Sequence, residues 1–271
     1  MGQCVETPAA SERAGRQILA RNDRIPLLIG VESSIFCEKA RFALDYKRLP
    51  YREKKLLPGL HRWTVRRYGG TGTVPVMRAG GRTFADSTDI LAALEELAPL
   101  PPLYPSDATQ RARALQLEGY FNEIGHHVRR MGLHTVLAQP DVFIQSFARR
   151  LPSGLARLGY PLIDRAMRRR YDVSDETVRA ARVQVRRAFD RIGELLAQSG
   201  GPCLLGDQLT VADIAAASLL GPIVAPDEYP NAMRPQREGG AAAYHAELEA
   251  LPAFSWVRDI YRRHRKPSAT I

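Results

Sequence analysis

Cysteine is scarce in this chain, and its spacing excludes a fold held together by disulfides. The 271 residues include three cysteines, Cys4, Cys37 and Cys203, and no two of them form a C-x-x-C pair. A secreted disulfide scaffold would carry an even, closely spaced set, so we expect a reducing compartment and a cytoplasmic location. Dithiol exchange within a single C-x-x-C motif is excluded for the same reason.

Long apolar runs and metal-binding motifs are also missing. A membrane span needs ~18 consecutive apolar residues, and the longest candidate, 211–225, is interrupted by Asp213 and Pro222. No apolar segment of the kind found in secretory signals opens the sequence. His126 and His127 are adjacent and would point apart on a helix, and there is no H-E-x-x-H, phosphate-binding loop or G-x-S-x-G turn. We therefore predict no metal cofactor and no membrane partner.

Lysine is rare as well, although the chain is strongly basic. Lysine and arginine number 39 against 29 acidic residues, a formal net charge of +10, and only five of the 39 are lysines. Such a charge is compatible with nucleic acid, an acidic membrane surface or an anionic small molecule. Because the arginines are spread along the chain, we predict no nucleic-acid partner, and nucleic-acid binding stays an alternative that rests on charge alone.

What is present is an alternation of strand and helix signals, followed by a purely helical pattern. Short apolar runs predict strands, and apolar residues recurring every three or four positions predict helices. The predicted order is strand 25–31, helix 36–44, strand 51–56, weak helix 60–68, strands 74–77 and 83–85, and a helix from Asp86. After Ser106 no strand is predicted; helices are expected over 108–137, within 140–172, after Ser174 and Thr210, and over 253–264.

Four prolines mark the boundary between these two patterns. They lie at positions 99, 101, 102 and 105 and stiffen that stretch. We therefore predict an N-terminal extension at 1–22, an α/β domain at 23–98, a linker at 99–105 and an all-helical domain at 106–271. The first domain has the order β-α-β-α-β-β-α.

The turn between the first strand and the first helix is the first candidate site. It carries Ser34 and Cys37, and unpaired N–H groups at a helix start stabilise a thiolate placed there. A serine hydroxyl at that point can donate a hydrogen bond to sulfur. The alternative is that Ser34 only caps the helix and that Cys37 is a small buried apolar residue.

Two further segments combine backbone groups with polar side chains. A cis bond between Val74 and Pro75 would turn the Val74 backbone groups outward, although trans is the commoner form. Asp86 and Ser87 begin a helix, where free N–H groups suit a carboxylate, and simple capping is the alternative. In the helical half, Thr210 and Asp213 have the spacing of a capping box, and losing that cap should cost about 1 kcal/mol.

Taken in chain order, these motifs resemble the cytosolic glutathione transferases, in a bacterial form with a serine-type or omega-like N-terminal motif. The resemblance rests on Ser34-Ile-Phe-Cys37, Leu49-Pro50-Tyr51, Thr73-Val-Pro-Val76, Asp86-Ser-Thr-Asp-Ile90 and Leu205-Gly-Asp-Gln-Leu-Thr-Val-Ala-Asp213. It covers about residues 25–100 and 174–265, whereas 1–22 and 138–172 have no counterpart. It implies a thioredoxin-like N-terminal domain that holds glutathione, an all-helical C-terminal domain and a homodimer.

The resemblance also implies roles for individual residues. Ser34 would be the activating hydroxyl, with Cys37 as a second candidate for the catalytic group. The glutathione site would comprise Phe36, His61, Val74, Pro75, Asp86 and Ser87, of which Val74 would bind the cysteinyl backbone and Ser87 the γ-glutamyl end. The second-substrate pocket would be lined by Tyr120, Phe121, His127 and Arg130.

The function expected from this resemblance is a detoxifying glutathione transferase. Glutathione is the co-substrate, and its activated thiol attacks a small hydrophobic electrophile or a peroxide. Two alternatives remain open: a non-catalytic binding module on the same fold, and a glutathione-dependent oxidoreductase that uses Cys37. The omega-like pattern C-P-F-C has lost its first cysteine and its proline here, which argues against a mixed disulfide at position 34.

Overall fold

The computed structural model describes residues 25–57, 61–147, 153–229 and 240–271. The predicted N-terminal extension at 1–22, with Cys4, lies outside the described residues. The described chain forms two compact units, residues 25–106 together with 265–271, and residues 107–264. The division falls at the proline-rich linker, but the last seven residues belong to the first unit, whereas the sequence placed them with the helical half.

The first unit contains a four-stranded mixed sheet flanked by three helices. Its strands are β1 (Leu27–Val31), β2 (Arg52–Leu56), β3 (Val76–Ala79) and β4 (Arg82–Phe84), in the spatial order β2-β1-β3-β4. Its helices are α1 (Ile35–Tyr46), α2 (His61–Arg67) and α3 (Ser87–Leu97). β1 pairs parallel with β2 and antiparallel with β3, and β3 pairs antiparallel with β4. This arrangement confirms the predicted element order.

Strand register determines which loops share one edge of the sheet. Ile29 of β1 pairs with Val76 of β3, and Met77 of β3 pairs with Phe84 of β4. If the same register is extended by two residues, Val74 lies opposite Val31 at the end of β1, and Asp86 lies opposite Pro75. The β1–α1 turn, the Val74–Pro75 bond and the start of α3 therefore lie at one edge, which we call the β1 carboxyl edge.

The named elements in the described part of the second unit are all helices. They are α4 (Ala108–Leu137), α5 (Pro140–Phe147), α6 (Ser153–Tyr171), α7 (Asp175–Ser199), α8 (Val211–Val224), α9 (Gly240–Glu249) and α10 (Pro252–His264). Nearly every side chain of α8 is buried, which makes it the central helix of the unit. With the mixed sheet of the first unit, this helical unit confirms the predicted fold class.

Two parts of the helical half differ from the sequence prediction. One shorter helix was expected within 140–172, but α5 and α6 both lie there, the first opening on Pro140, where proline is tolerated. Helix α9 was not predicted. It buries His245 and Leu248, and the alanine-rich start of this segment hides its short apolar face from a periodicity argument.

The start of α8 is held by side-chain hydrogen bonds. Thr210 is its N-cap and accepts a hydrogen bond from the Ala212 N–H at 3.2 Å. Asp213 accepts from the Thr210 N–H at 2.8 Å and from the Leu204 N–H at 2.7 Å. The buried carboxylate thus joins the helix start to the loop that precedes it.

The last residues of the chain attach to the outer edge of the sheet. Tyr51, just before β2, forms a parallel bridge with Thr270. The Ile271 N–H donates to the Tyr51 carbonyl at 3.0 Å, and the Tyr51 N–H donates to the Ala269 carbonyl at 3.3 Å. Residues 265–271, which we call the C-terminal strap, therefore cover part of an edge that would otherwise present unpaired backbone groups.

Candidate functional site

The β1–α1 turn places a serine hydroxyl at a helix N-terminus. Ser34 is the N-cap of α1, in an extended conformation, and its Oγ accepts a hydrogen bond from the Cys37 N–H at 3.4 Å. The side chain is half-buried, so it reaches the surface at the β1 carboxyl edge. The remaining N–H groups of the first turn and the helix dipole make this a favourable position for a negative charge.

A buried arginine holds the turn that carries Ser34. The Arg41 guanidinium donates to the Val31 carbonyl at 3.2 Å and to the Glu32 carbonyl at 3.3 Å. It also pairs with Glu53 of β2 at 2.7 Å. Sequence reasoning missed Arg41; the available signal was a charged residue among the apolar positions of α1.

Cys37 faces the sheet rather than the surface. Its side chain is 0% exposed, and a Cβ added to Gly30 of β1 would come within 2.7 Å of its Sγ. Burial raises the pKa of the Cys37 thiol, and the nearby positive charge of Arg41 and the hydrogen bond with Ser34 only partly oppose this. A buried, protonated thiol is a poor nucleophile, which disfavours the oxidoreductase alternative.

The loop before β3 brings backbone groups and cations to the same edge. The Val74–Pro75 peptide bond is cis, Pro75 is buried and Val74 is half-buried. Gly72, two residues earlier, has a φ of +102°, and a Cβ there would lie 3.7 Å from the Arg62 Nε and 3.6 Å from the Arg66 Nε. His61 is the half-buried first residue of α2. Helix α2 therefore presents basic side chains next to the Val74 loop.

The start of α3 supplies the third part of the edge. Asp86 is the N-cap, and its carboxylate accepts from the Thr88 N–H at 2.8 Å. Ser87 is buried directly behind it. Thr88 Oγ1 also accepts from Nζ of Lys39, a buried residue of α1, at 3.3 Å. This contact links α1 to the first turn of α3, and the N-termini of both helices face this edge.

All four residues predicted for the second substrate lie on α4, but Phe121 is turned away from the face that carries Tyr120, His127 and Arg130. Phe121 is fully buried in the core of the helical unit. Tyr120 lies at a shallow surface depression with Arg187 and Arg191 of α7. His127 and Arg130 contact each other, with 3.3 Å between Nδ1 and Nη1, and burial together with the Arg130 charge lowers the pKa of His127. Helical periodicity alone could not tell which face of this long helix is buried.

No group of His, Cys, Asp and Glu side chains that could hold a metal ion occurs among the described residues. Within the same ranges, none of the helices combines the length and apolar character needed to cross a membrane.

The fold and the edge together define the class of the protein. A mixed four-stranded sheet with a cis-proline loop, followed by a helical unit, is the two-domain arrangement of a thioredoxin-like domain joined to an all-helical domain. Residues 28–102 match the model of the glutathione S-transferase N-terminal domain, and residues 175–263 match that of the C-terminal domain. The chain belongs to the glutathione S-transferase family.

Solved structures share the fold at low sequence identity. A glutathione S-transferase of Ceriporiopsis subvermispora, in complex with glutathione, is 15% identical with a TM-score of 0.61, and the match covers 88% of this chain and 96% of that one. One from Methylobacterium radiotolerans, in complex with glutathione sulfonate, is 22% identical with a TM-score of 0.53, covering 91% and 97%. A theta-class enzyme of Xanthomonas axonopodis with glutathione bound is 19% identical with a TM-score of 0.53, covering 90% and 99%. No curated protein matches the chain.

Proposed function

We propose that this protein is a serine-type glutathione transferase that binds glutathione along the β1 carboxyl edge and lowers the pKa of its thiol. The observation that carries the proposal is the placement of Ser34: a half-exposed hydroxyl caps α1 at the edge that also holds Val74–Pro75 and Asp86–Ser87. Solved relatives with glutathione bound support the choice of ligand. The binding domain in this proposal is residues 23–98.

Each end of glutathione has a chemical match along this edge. The Val74 N–H and C=O would pair with the cysteinyl backbone as a short antiparallel ladder. The free N–H groups at the start of α3, with Ser87 and Asp86, would hold the γ-glutamyl end. The glycyl carboxylate would face α2, where Arg62 and Arg66 supply positive charge next to His61. Phe36, on the first turn of α1, completes the predicted set.

The chemical role of the edge is to stabilise a thiolate. The Ser34 hydroxyl would donate to the glutathione sulfur, and the free N–H groups of α1 would add their partial positive charge. Lowering a thiol pKa by about two units corresponds to ~2.7 kcal/mol, which is within reach of such interactions. The thiol proton passes to solvent, the sulfur forms a C–S bond with the electrophilic carbon, and the leaving group departs with its electron pair. With a hydroperoxide, the thiolate attacks one oxygen, the O–O bond breaks and the alcohol leaves. A second glutathione thiol then forms the disulfide and releases the transferred oxygen as water, so the two thiols supply the two electrons.

The remaining parts of the proposal rest on the family. We assign the second-substrate role to Tyr120, His127 and Arg130 of α4 and leave out Phe121, because its ring is buried. The acceptor is a small hydrophobic electrophile, the working form a homodimer and the setting cytoplasmic detoxification.

Glutathione affinity and turnover, measured together in two variants, test this function. Calorimetry should show glutathione binding to the wild type, and conjugation to an aryl halide or reduction of an organic hydroperoxide should be detectable. Ser34→Ala should keep the affinity but lose at least ~10-fold in turnover, as expected for a donor that acts on developing charge. Cys37→Ala is the control and should keep its turnover.

The alternatives give different results in the same experiment. Glutathione binding without turnover across several electrophile and peroxide classes would support the non-catalytic module. A glutathione adduct on Cys37 after treatment with oxidised glutathione, together with loss of thiol transfer in Cys37→Ala, would support the oxidoreductase. Failure to bind glutathione would overturn all three.

A further inference from the structure

Helix α6 presents a row of leucines to the outside of the molecule. Leu155, Leu158 and Leu162 are 61%, 80% and 76% exposed. Their spacing of three and four residues places them on one helix face. Isolated exposed leucines are ordinary on protein surfaces, but a contiguous row on one face marks an interaction surface. We call this row the α6 leucine stripe.

Contacts on the opposite face fix the orientation of the stripe. The Tyr160 hydroxyl donates to the Leu137 carbonyl at the end of α4, and its ring packs edge-on against Phe143 of α5, with 5.4 Å between ring centroids. At the end of α6, the Tyr171 carbonyl accepts from Arg130 Nε at 3.3 Å. Leu158 and Leu162 are each two positions from Tyr160, about 200° around the helix axis. The leucines therefore point away from the core because the tyrosines are docked onto it.

Two cations continue the stripe along the same face. Arg165 and Arg169 each lie seven residues, or two helical turns, after Leu158 and Leu162. Two other arginines of this helix are ion-paired, Arg168 with Asp164 and Arg157 with Asp141, and the Arg170 guanidinium lies over the Tyr171 ring. Arg165 and Arg169 form no ion pair within the described part of the chain. The outward face of α6 thus combines exposed leucines with two uncompensated positive charges.

We propose that α6 docks the protein on the surface of an anionic lipid membrane. The leucines would enter the boundary between headgroups and acyl chains, and Arg165 and Arg169 would pair with lipid phosphates, as amphipathic helices lying in the membrane interface do. The protein would lie on the bilayer rather than cross it. The proposed membrane contact differs from the prediction, made from the sequence, that the protein has no membrane partner. It is independent of the proposed glutathione chemistry and lies between the two family-matched segments, 28–102 and 175–263.

Charge favours a lipid surface over a second copy of the chain. A two-fold contact through the α6 leucine stripe brings the same patch of both copies together. A parallel pairing of the two α6 helices would set Arg165 and Arg169 against the same arginines of the other copy, and an antiparallel pairing would set them against its leucines. Neither arrangement supplies a counter-charge, so the two cations would lose water without an ionic partner. An anionic bilayer neutralises the same charges.

Vesicle sedimentation tests this proposal with the full-length protein. The wild type should bind vesicles of phosphatidylcholine with roughly 30% phosphatidylglycerol, bind pure phosphatidylcholine weakly, and be released by about 0.5 M salt. Leu158→Ser/Leu162→Ser should lower the partition coefficient at least ~10-fold because two apolar side chains no longer insert. Arg165→Gln/Arg169→Gln should bind anionic vesicles no better than neutral ones.

Matched controls separate this surface from general charge or hydrophobicity. Val183→Ser removes an apolar side chain that is 50% exposed on α7. Arg78→Gln/Arg179→Gln removes two exposed arginines from β3 and α7. Both controls should bind anionic vesicles as the wild type does, and circular dichroism should show that every variant is folded.

Three results would overturn the proposal. The first is wild-type protein that stays in the supernatant with anionic vesicles. The second is an equal loss of binding in the α6 variants and their controls. The third is sedimentation velocity in the absence of lipid in which only Leu158→Ser/Leu162→Ser converts dimers into monomers, which would assign the stripe to contact between copies.

Discussion

The Arg265 guanidinium forms ion pairs with Glu38 and Asp45, two acidic residues of α1. The Arg265 Nε lies 2.8 Å from the Glu38 Oε1, and Nη1 contacts Asp45. All three side chains are buried. Since Asp45 also accepts from the Ala269 N–H at 2.7 Å, the C-terminal strap is attached to the helix that presents Ser34.

The first prediction concerns the stability that this contact supplies. Arg265→Gln leaves the buried Asp45 without its ion-pair partner and Glu38 with only Arg41, at 3.8 Å, and we expect it to lower the free energy of unfolding by about 3 kcal/mol at pH 7. Arg262→Gln is the control because its pair with Asp259 is largely exposed, and it should cost less than about 0.5 kcal/mol. Urea unfolding of both variants measures the difference. Equal, small losses would mean that the strap does not stabilise α1.

A second prediction compares two ion pairs on neighbouring glutamates of α3. Lys47 Nζ is buried and donates to the Glu95 carboxylate at 2.7 Å and to the Ala98 and Pro101 carbonyls at 2.6 and 2.9 Å. Lys47→Met should cost about 2 kcal/mol because these acceptors lose their donor. Arg82→Met removes the exposed partner of Glu96 and should change stability by less than about 0.5 kcal/mol.

Denaturant midpoints at constant m-value would report both changes. If Lys47→Met were as mild as Arg82→Met, the buried ammonium would not be a structural link between α1 and the linker.

The third prediction is a pH dependence of stability that comes from Asp213. Burial raises the pKa of this carboxyl to about 6, above the value of about 3.9 expected in the unfolded chain. Between about pH 4 and pH 6, the folded state therefore holds a proton on Asp213 that the unfolded chain has lost. The stability that this proton supplies is fully present below pH 4 and disappears as pH rises through 6. From pH 7 to pH 5, the wild type should gain about 1 kcal/mol relative to Asp213→Asn.

Unfolding by urea at the two pH values, with both proteins in the same buffers, gives this difference directly. If the free energies of unfolding of the wild type and Asp213→Asn differ by the same amount at both pH values, the Asp213 carboxyl does not titrate in this range.

The fourth prediction concerns the reactivity of Cys37. Because burial raises the pKa of this thiol, it stays protonated at pH 8, and its alkylation by iodoacetamide should be at least ~10-fold slower than in urea-unfolded protein. Peptide mass spectrometry resolves Cys37 from the other cysteines. Alkylation of the folded protein at the rate of the unfolded chain would restore Cys37 as a candidate nucleophile.

The sequence predicted those features that depend on local pattern. The strand and helix order of the first unit follows from apolar periodicity, and the helix starts at Ser34 and Asp86 follow from their capping residues. The buried charges were not predictable in the same way. Arg41 is 12 residues from Glu53, and Arg265 is 227 residues from Glu38, so tertiary structure sets their pairing and the local pattern does not show which carboxylate each arginine contacts.

In the helical half, apolar periodicity did not predict which apolar residues are buried. Phe121 and Leu158 are both apolar residues on amphipathic helices, yet one is fully buried and the other is 80% exposed. Periodicity identifies an apolar face but does not say what covers it. The leucine face of α6 points outward because Tyr160 and Tyr171 are docked inward, and that choice is decided by packing.

The most direct test of the central claim is the pKa of the glutathione thiol when it is bound to the protein. Thiolate absorbance, followed as the wild-type complex is titrated with base, should give a pKa about two units below that of free glutathione. The Ser34→Ala complex should recover most of that difference while its affinity is kept. A bound thiol that titrates as it does in free solution, or a wild type and Ser34→Ala that titrate alike, would contradict the role assigned to the start of α1.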